Sequence, residues 1–263
     1  MNVFKAEWRF QWKSLLLWSL SIVSFILLFM TLYPTFSEEA AIFKAMMDSL
    51  PPGMMSAMGI HVDQLFSDAG FMAYVYTYVQ LMLAILATLW GITLLGREKI
   101  EGVSEFLLVK PLSRKRMFWF KTALGSVILF ILHLVITLVI TLVGLSLQMP
   151  KESLLKGMQM VLLGGIMSLC FYSLGIVISC ALKQISNPQS LASSIGFGMF
   201  LLLLMSRLMG IEQLGWLTPL YHADPQRLLS KGFDVLSLLL LISVSMILLG
   251  IGYILFVKQD VEA

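Results

Sequence analysis

The chain has 263 residues, of which 59% are hydrophobic and only 13% charged, and its mean hydropathy is +0.90. A soluble domain carries about a quarter charged residues, and this composition folded in water would leave a large apolar surface exposed. A soluble enzyme or binding domain is therefore excluded, and a bundle of membrane helices forming one domain over residues 1–263 is expected.

The chain opens with NVFKAEWRFQWK, residues 2–13. Phe4, Trp8 and Trp12 recur at i, i+4 and i+8 and form one helical stripe, while Lys5, Arg9 and Lys13 form a neighbouring one. An aromatic stripe beside a basic one suits a helix lying in the headgroup region. A plain positive flank of the first span is the alternative. The apolar run that follows lacks a small-residue cleavage site, so it is expected to be retained as a membrane helix.

Six long apolar runs lie at 15–33, 71–96, 117–147, 157–182, 190–209 and 234–257. Each can cross a hydrocarbon core of about 30 Å with some tilt. The run at 117–147 is longer than it needs to be and is expected to begin in the interface. Between the first two runs, Ser37–Leu50 predicts a helix with Ser37 as N-cap and Glu38 and Glu39 in its first turn. Pro51, Pro52 and Gly53 would stop it. Met54, Met55 and Met58 follow, a cluster suited to packing or to an adaptable contact surface. The segment GIEQLGWLTPLYHADPQRLLSKGF, residues 210–233, predicts a short helix pair dipping into the outer leaflet. Cys170 and Cys180 share one predicted helix at about 15 Å, beyond the ~7 Å reach of a disulfide, and are expected to be free packing thiols.

Orientation follows from the Lys and Arg residues. Six spans place both termini on one side, which then holds 12 of the 18 basic residues, against 6 on the other; the acidic residues divide 6 against 9. Both termini are expected to face the cytoplasm. Most of the asymmetry comes from REKIEGVSEFLLVKPLSRKRMFWFK, Arg97 to Lys121, which holds seven basic residues.

Much chemistry is missing from the sequence. No Gly precedes a Lys, so there is no phosphate-binding loop of the G-x-x-x-x-G-K-[ST] type. His61, His133 and His222 lie in separate segments, without zinc-ligand spacing, and no G-x-S-x-G elbow occurs. His133, in mid-span, is expected to hydrogen-bond between helices, and Arg207, near a span end, to snorkel.

Within the loop after the second span, Glu98, Glu101 and Glu105 share one helical face and Ile100, Val103, Phe106 and Leu107 lie mostly on the others. Gly102 costs such a helix about 1 kcal/mol, which suits a bend or a close backbone approach. Lys110 before Pro111 ends the helix, and Ser113 can cap the next one. Arg114, Lys115 and Arg116 at that helix's start oppose its dipole, so lipid headgroups or an acidic partner surface should offset them. An ordinary topology-setting loop would explain the basic residues, but not the acidic ridge, the glycine or the helix–Pro–cap–helix punctuation.

REKIEGVSEFLLVKPLSR…K resembles the E-K-x-x-G-[T/x]-x-E-x-L-L-x-x-P-[V/L]-S-R…K stretch of ABC-2 type ABC transporter permeases. LTPLYHADPQRLL is similar to that family's segment before the last span, with Thr218 for the usual Ser. FVKQD resembles its F-x-x-R-D ending, with Gln259 for Arg, and residues 2–13 resemble its elbow helix. The resemblance implies an all-α membrane protein of ABC-2 (type V exporter-like) architecture, with six transmembrane helices and an amphipathic N-terminal elbow helix bearing Phe4, Lys5, Trp8, Arg9, Trp12 and Lys13. It implies a non-catalytic permease in the cytoplasmic membrane, paired with a second, same or homologous, permease subunit. A separate ATP-binding cassette ATPase subunit would carry the ATP and magnesium, leaving no cofactor in this chain. The segment 97–116 would couple to that ATPase through Arg97, Glu98, Glu101, Gly102, Glu105, Pro111, Ser113 and Arg114. Most members export, and a peptide-like, antimicrobial or amphipathic cargo is the preferred expectation here. An ATPase-independent carrier, a sensor or scaffold, and an intramembrane enzyme are the competing classes. A carrier would usually show buried charges or interrupted spans in matching halves.

Overall fold

The computed structural model describes residues 3–49, 51, 65–100 and 113–258. Regular structure among them is entirely helical: α1 (Val3–Glu38), α2 (Ala40–Asp48), α3 (Asp68–Ile100), α4 (Arg114–Ser146), α5 (Lys151–Ala181), α6 (Pro188–Met209), α7 (Glu212–Trp216), α8 (Pro219–His222), α9 (Pro225–Lys231) and α10 (Val235–Lys258). Six of these helices, α1, α3, α4, α5, α6 and α10, are long and apolar enough to span a membrane, and they coincide with the six runs read from hydropathy. The Met54–Met58 cluster lies outside the described residues.

The first span differs from expectation at both ends. Residues 3–13 are helical, but no break separates them from the span: α1 runs unbroken for 36 residues, about 54 Å. The expected elbow is thus continuous with the helix that carries the first span, mostly ahead of the span itself, which begins at Gln11. At its other end α1 passes through Pro34 to Glu38. Ser37 lies inside this helix and caps nothing; the helix expected at 37–50 is instead the shorter α2, begun by turn bonds from Ile42 and Phe43 N–H to the Glu39 carbonyl.

The architecture is centred on α3. It packs most extensively on α5, and also touches α1, α4, α6 and α9, so 78% of its apolar window is buried, against 22% for α1 and α10. Small residues permit the closest of these contacts. A Cβ on Gly91 would overlap the Tyr172 carbonyl and lie 2.9 Å from the Gly175 Cα, and one on Gly175 would overlap the Thr88 carbonyl. Backbone therefore lies on backbone where α3 crosses α5. Trp90 on the same turn is buried, and its Nε1 donates to Ser14 Oγ at 3.0 Å, joining α1 to α3. Cys170 and Cys180 are free and buried, as expected.

Candidate functional site

Two ends of the bundle carry polar chemistry. The terminal end, expected to face the cytoplasm, holds the segment between α3 and α4. Arg97 and Glu98 extend α3 past its apolar part, and α3 continues to Ile100, in keeping with a helix that prolongs the second span. Glu101, Gly102, Glu105 and Pro111 lie outside the described residues. Ser113 stands at the N-cap of α4 with extended backbone (φ −63°, ψ 138°), but its side chain makes no capping bond. The turn is started by Met117 N–H donating to the Ser113 carbonyl at 3.1 Å. The expected side-chain cap is therefore absent. Arg114 opens α4 and is half-buried. Of the N-terminal residues, Phe4, Lys5 and Arg9 fall within α1, Trp8 is half-buried, and Trp12 and Lys13 are exposed.

Behind this segment the end of α3 packs closely on its neighbours. A Cβ on Gly96, one residue before Arg97, would meet Ser179 Oγ of α5 at 2.8 Å and Ile185 Cδ1 at 3.2 Å. Further into the bundle, Tyr172 Oη donates to the carbonyls of Lys121 and Thr122 at 3.3 Å, tying α5 to the first turns of α4. In mid-span His133 Nδ1 lies 2.8 Å from the Leu129 carbonyl, and its Nε2 lies 3.5 Å from Ser168 Oγ on α5. That is the interhelical role expected of it. A cleft between α1, α3 and α4, bounded by Met30, Met72, Tyr76 and Ile140 among others, has room for about one water.

At the far end, residues 210–234 form a strap of three short helices where a helix pair was expected. Gly210 adopts φ +66° and closes α6, a left-handed cap that glycine takes without a Cβ penalty. Thr218-Pro219 and Asp224-Pro225 then repeat one device. The side-chain oxygen caps the helix, accepting from Leu220 N in α8 and Gln226 N in α9, and the proline at the first helical position gives up a donor that had no partner to lose. Thr218 thus does here what the more usual serine would do.

The strap is fastened from within. Arg207 does not snorkel; its Nη2 donates to Asp224 Oδ1 at 2.7 Å, with both side chains largely buried (13% and 7% exposed). Gln80 of α3 is fully buried, and its Nε2 donates to the Ala223 carbonyl at 2.7 Å. Nearer the surface, Lys231 and Tyr221 both donate to Glu212, at 2.9 and 3.1 Å. Those bonds, Lys231 first, hold the Glu212 carboxyl below its usual range. Arg227 lies 4.5 Å over the Tyr221 ring and reaches Asp234 at 3.4 Å. Asp234 accepts from Ser237 Oγ at 2.7 Å, and that bond leads the causes that lower its pKa. Burial pulls the His222 imidazole below its ordinary value. Sequence reasoning missed the Arg207–Asp224 pair because its partners lie 17 positions apart, across apolar and turn sequence. The signal available was an aspartate before proline, which marks a cap, but a cap does not name a distant arginine.

Among the described residues no cluster of His, Cys, Asp or Glu could hold a metal ion. The profile of the family described as ABC-2 family transporter protein matches residues 1–261. No curated protein matches the chain.

Proposed function

Since the chain belongs to the ABC-2 family of transporter proteins, we propose that it is the permease of an exporter powered by a separate ATPase subunit. The observation that carries this reading is the family match over nearly the whole length, joined to two spans, α3 and α4, that run directly into the segment 97–116. An ATPase that closes on ATP has to push on something stiff. Arg97, Glu98, Glu101, Gly102, Glu105, Pro111, Ser113 and Arg114 would form its seat, and the backbone contact at Gly91 and Gly175 would make α3 and α5 tilt together as one lever.

The termini and the 97–116 segment would face the cytoplasm, as the 12-to-6 division of basic residues favours. The pathway would lie between two paired permease subunits, as the family resemblance implies. A peptide-like or amphipathic cargo fits the chain best, with α2 and the residues after it as its first contact on the far side. ATP and magnesium would be bound by the partner, with no cofactor needed here.

The test is a mild-detergent pull-down of the tagged chain from its native cells, followed by an ATPase assay. Co-purification of a soluble ATP-binding protein that hydrolyses ATP is the expected result, and a second membrane subunit in the same eluate would identify the pairing. Glu105→Gln or Gly102→Leu should then abolish ATP-driven transport while leaving the complex folded. A folded chain that comes alone, with no ATPase activity, would favour the carrier or sensor classes instead.

A further inference from the structure

The first turn of α4 carries Arg114, Lys115 and Arg116 and no acidic residue. Arg114 is half-buried, whereas Lys115 and Arg116 are exposed, and neither of those two side chains is paired with another described residue. Two adjacent cations without a counter-charge call for an anionic neighbour from outside the chain.

The face of α4 that continues from Arg116 decides what that neighbour is. Phe120, Val127, Phe130, Leu134 and Leu138 are each 45–64% exposed. At about 100° per residue, all five lie within about 40° of Arg116 around the helix axis. Trp119, also exposed, flanks Phe120 on the same side. The face is therefore graded by depth: cations first, then indole and phenyl rings, then an apolar surface ending about 27 Å beyond Phe120. Headgroup, interface and hydrocarbon follow in that order across a leaflet. A protein seated on Arg116 from this side would have to occupy the place of the bilayer. A zwitterionic lipid brings its own cation next to the two already present, so the charge balance selects a lipid with net negative charge.

We propose that Lys115, Arg116, Trp119 and Phe120 form a binding site for an anionic phospholipid, with its phosphate on the two cations and an acyl chain along the face from Val127 to Leu138. The basic triplet is thereby divided. Arg114 stays with the segment proposed to meet an ATPase, and its two neighbours hold the bilayer. The site requires only that α4 cross a bilayer, whatever drives the chain.

The test uses the full-length chain alone, in detergent micelles containing equal amounts of phosphatidylglycerol and phosphatidylcholine, with retained lipid counted by native mass spectrometry. Phosphatidylglycerol should be retained in preference. Lys115→Gln and Arg116→Gln should each lower that preference about fivefold, the weight of one cation at a membrane surface, at unchanged melting temperature. Lys151→Gln removes an exposed cation at the other end of the bundle and should leave the preference as it was. Excess inorganic phosphate should not displace the lipid, because the acyl chain contributes to its hold. Parent-like preference in both cation variants would overturn the site. An equal loss in Lys151→Gln would reduce the effect to net charge, and displacement by phosphate would reduce it to a plain anion contact; either result overturns the lipid assignment.

Discussion

Replacing Gly91 by alanine tests whether α3 and α5 form one mechanical unit. The new methyl would meet backbone on three sides: the Tyr172 carbonyl, the Gly175 Cα at 2.9 Å and the Ile176 N at 2.9 Å. Ordinary contact begins at 3.4 Å, so α5 must retreat by about 0.5 Å at the two longer contacts and further at the carbonyl. Backbone atoms cannot rotate away as a side-chain tip can. Overpacking of this kind costs about 1–3 kcal/mol, partly offset by the ~1 kcal/mol that alanine gains over glycine in a helix. The net loss is about 0–2 kcal/mol against the parent and about 1–3 kcal/mol against controls that gain the alanine propensity without the overlap, a gap of several degrees at roughly 2–4 °C per kcal/mol. Gly198→Ala and Gly250→Ala are the matched controls, because nothing lies within 4 Å of a Cβ at either position; both should melt at or slightly above the parent. Thermal unfolding followed by tryptophan fluorescence in detergent would measure all three. If Gly91→Ala melts with the two controls, the backbone-on-backbone contact does not exist, and the lever argument built on it fails.

Breaking the strap's internal ion pair should cost more. Arg207→Met leaves Asp224 buried without its partner, an effect of about 3–5 kcal/mol, and the double change Arg207→Met with Asp224→Asn, which removes the charge and keeps the side-chain oxygen that caps α9, should recover much of it; equal melting of the single and double variants would refute the pairing. His222 gives the strap a pH dependence. Its folded pKa lies below the unfolded value of about 6.5, so the neutral ring's contribution is complete above that pH and is lost as pH falls below it. With the intrinsic base-catalysed exchange rate divided out, the protection of residues 216–223 should therefore fall as pH drops from about 7.5 to about 5.5, and His222→Gln should flatten the change; wild-type protection insensitive to pH over that range would contradict this. Tyr33→Phe removes the 2.7 Å bond to Asp68 that joins the end of α1 to the start of α3, and should lower stability by about 1.5–3 kcal/mol, measured by the same thermal assay.

Hydropathy alone located all six spans, most to within a few residues, because a helix in lipid has to be continuously apolar for a fixed length. Sequence was weakest where helices stop. Hydropathy bounds the first run at 33, yet α1 passes through Pro34 to Glu38, since proline costs a helix one bond and a local clash that neighbouring packing can absorb. Ser113 reads as a side-chain cap and stands in the capping position without making the bond. The residues proposed to couple to an ATPase stand out in the sequence as a pattern of charge and punctuation, and Glu101 to Pro111 among them lie outside the described residues. The Arg207–Asp224 pair and the contact of Ile185 with Gly96 could not be read at all. Both depend on which helix ends meet in space, and α3, the element that brings them together, has almost no polar stripe from which its neighbours could be deduced.

The burial of α3 also bears on how such a chain can change over generations. A helix enclosed on most sides has few positions that can vary singly without disturbing a neighbour. α1 and α10, with most of their surface turned outward, can exchange one apolar residue for another at little cost. New cargo preferences should therefore arise first in the peripheral spans, while the central helix stays nearly fixed, and chimaeras that exchange α1 or α10 between related permeases should fold where exchanges of α3 do not.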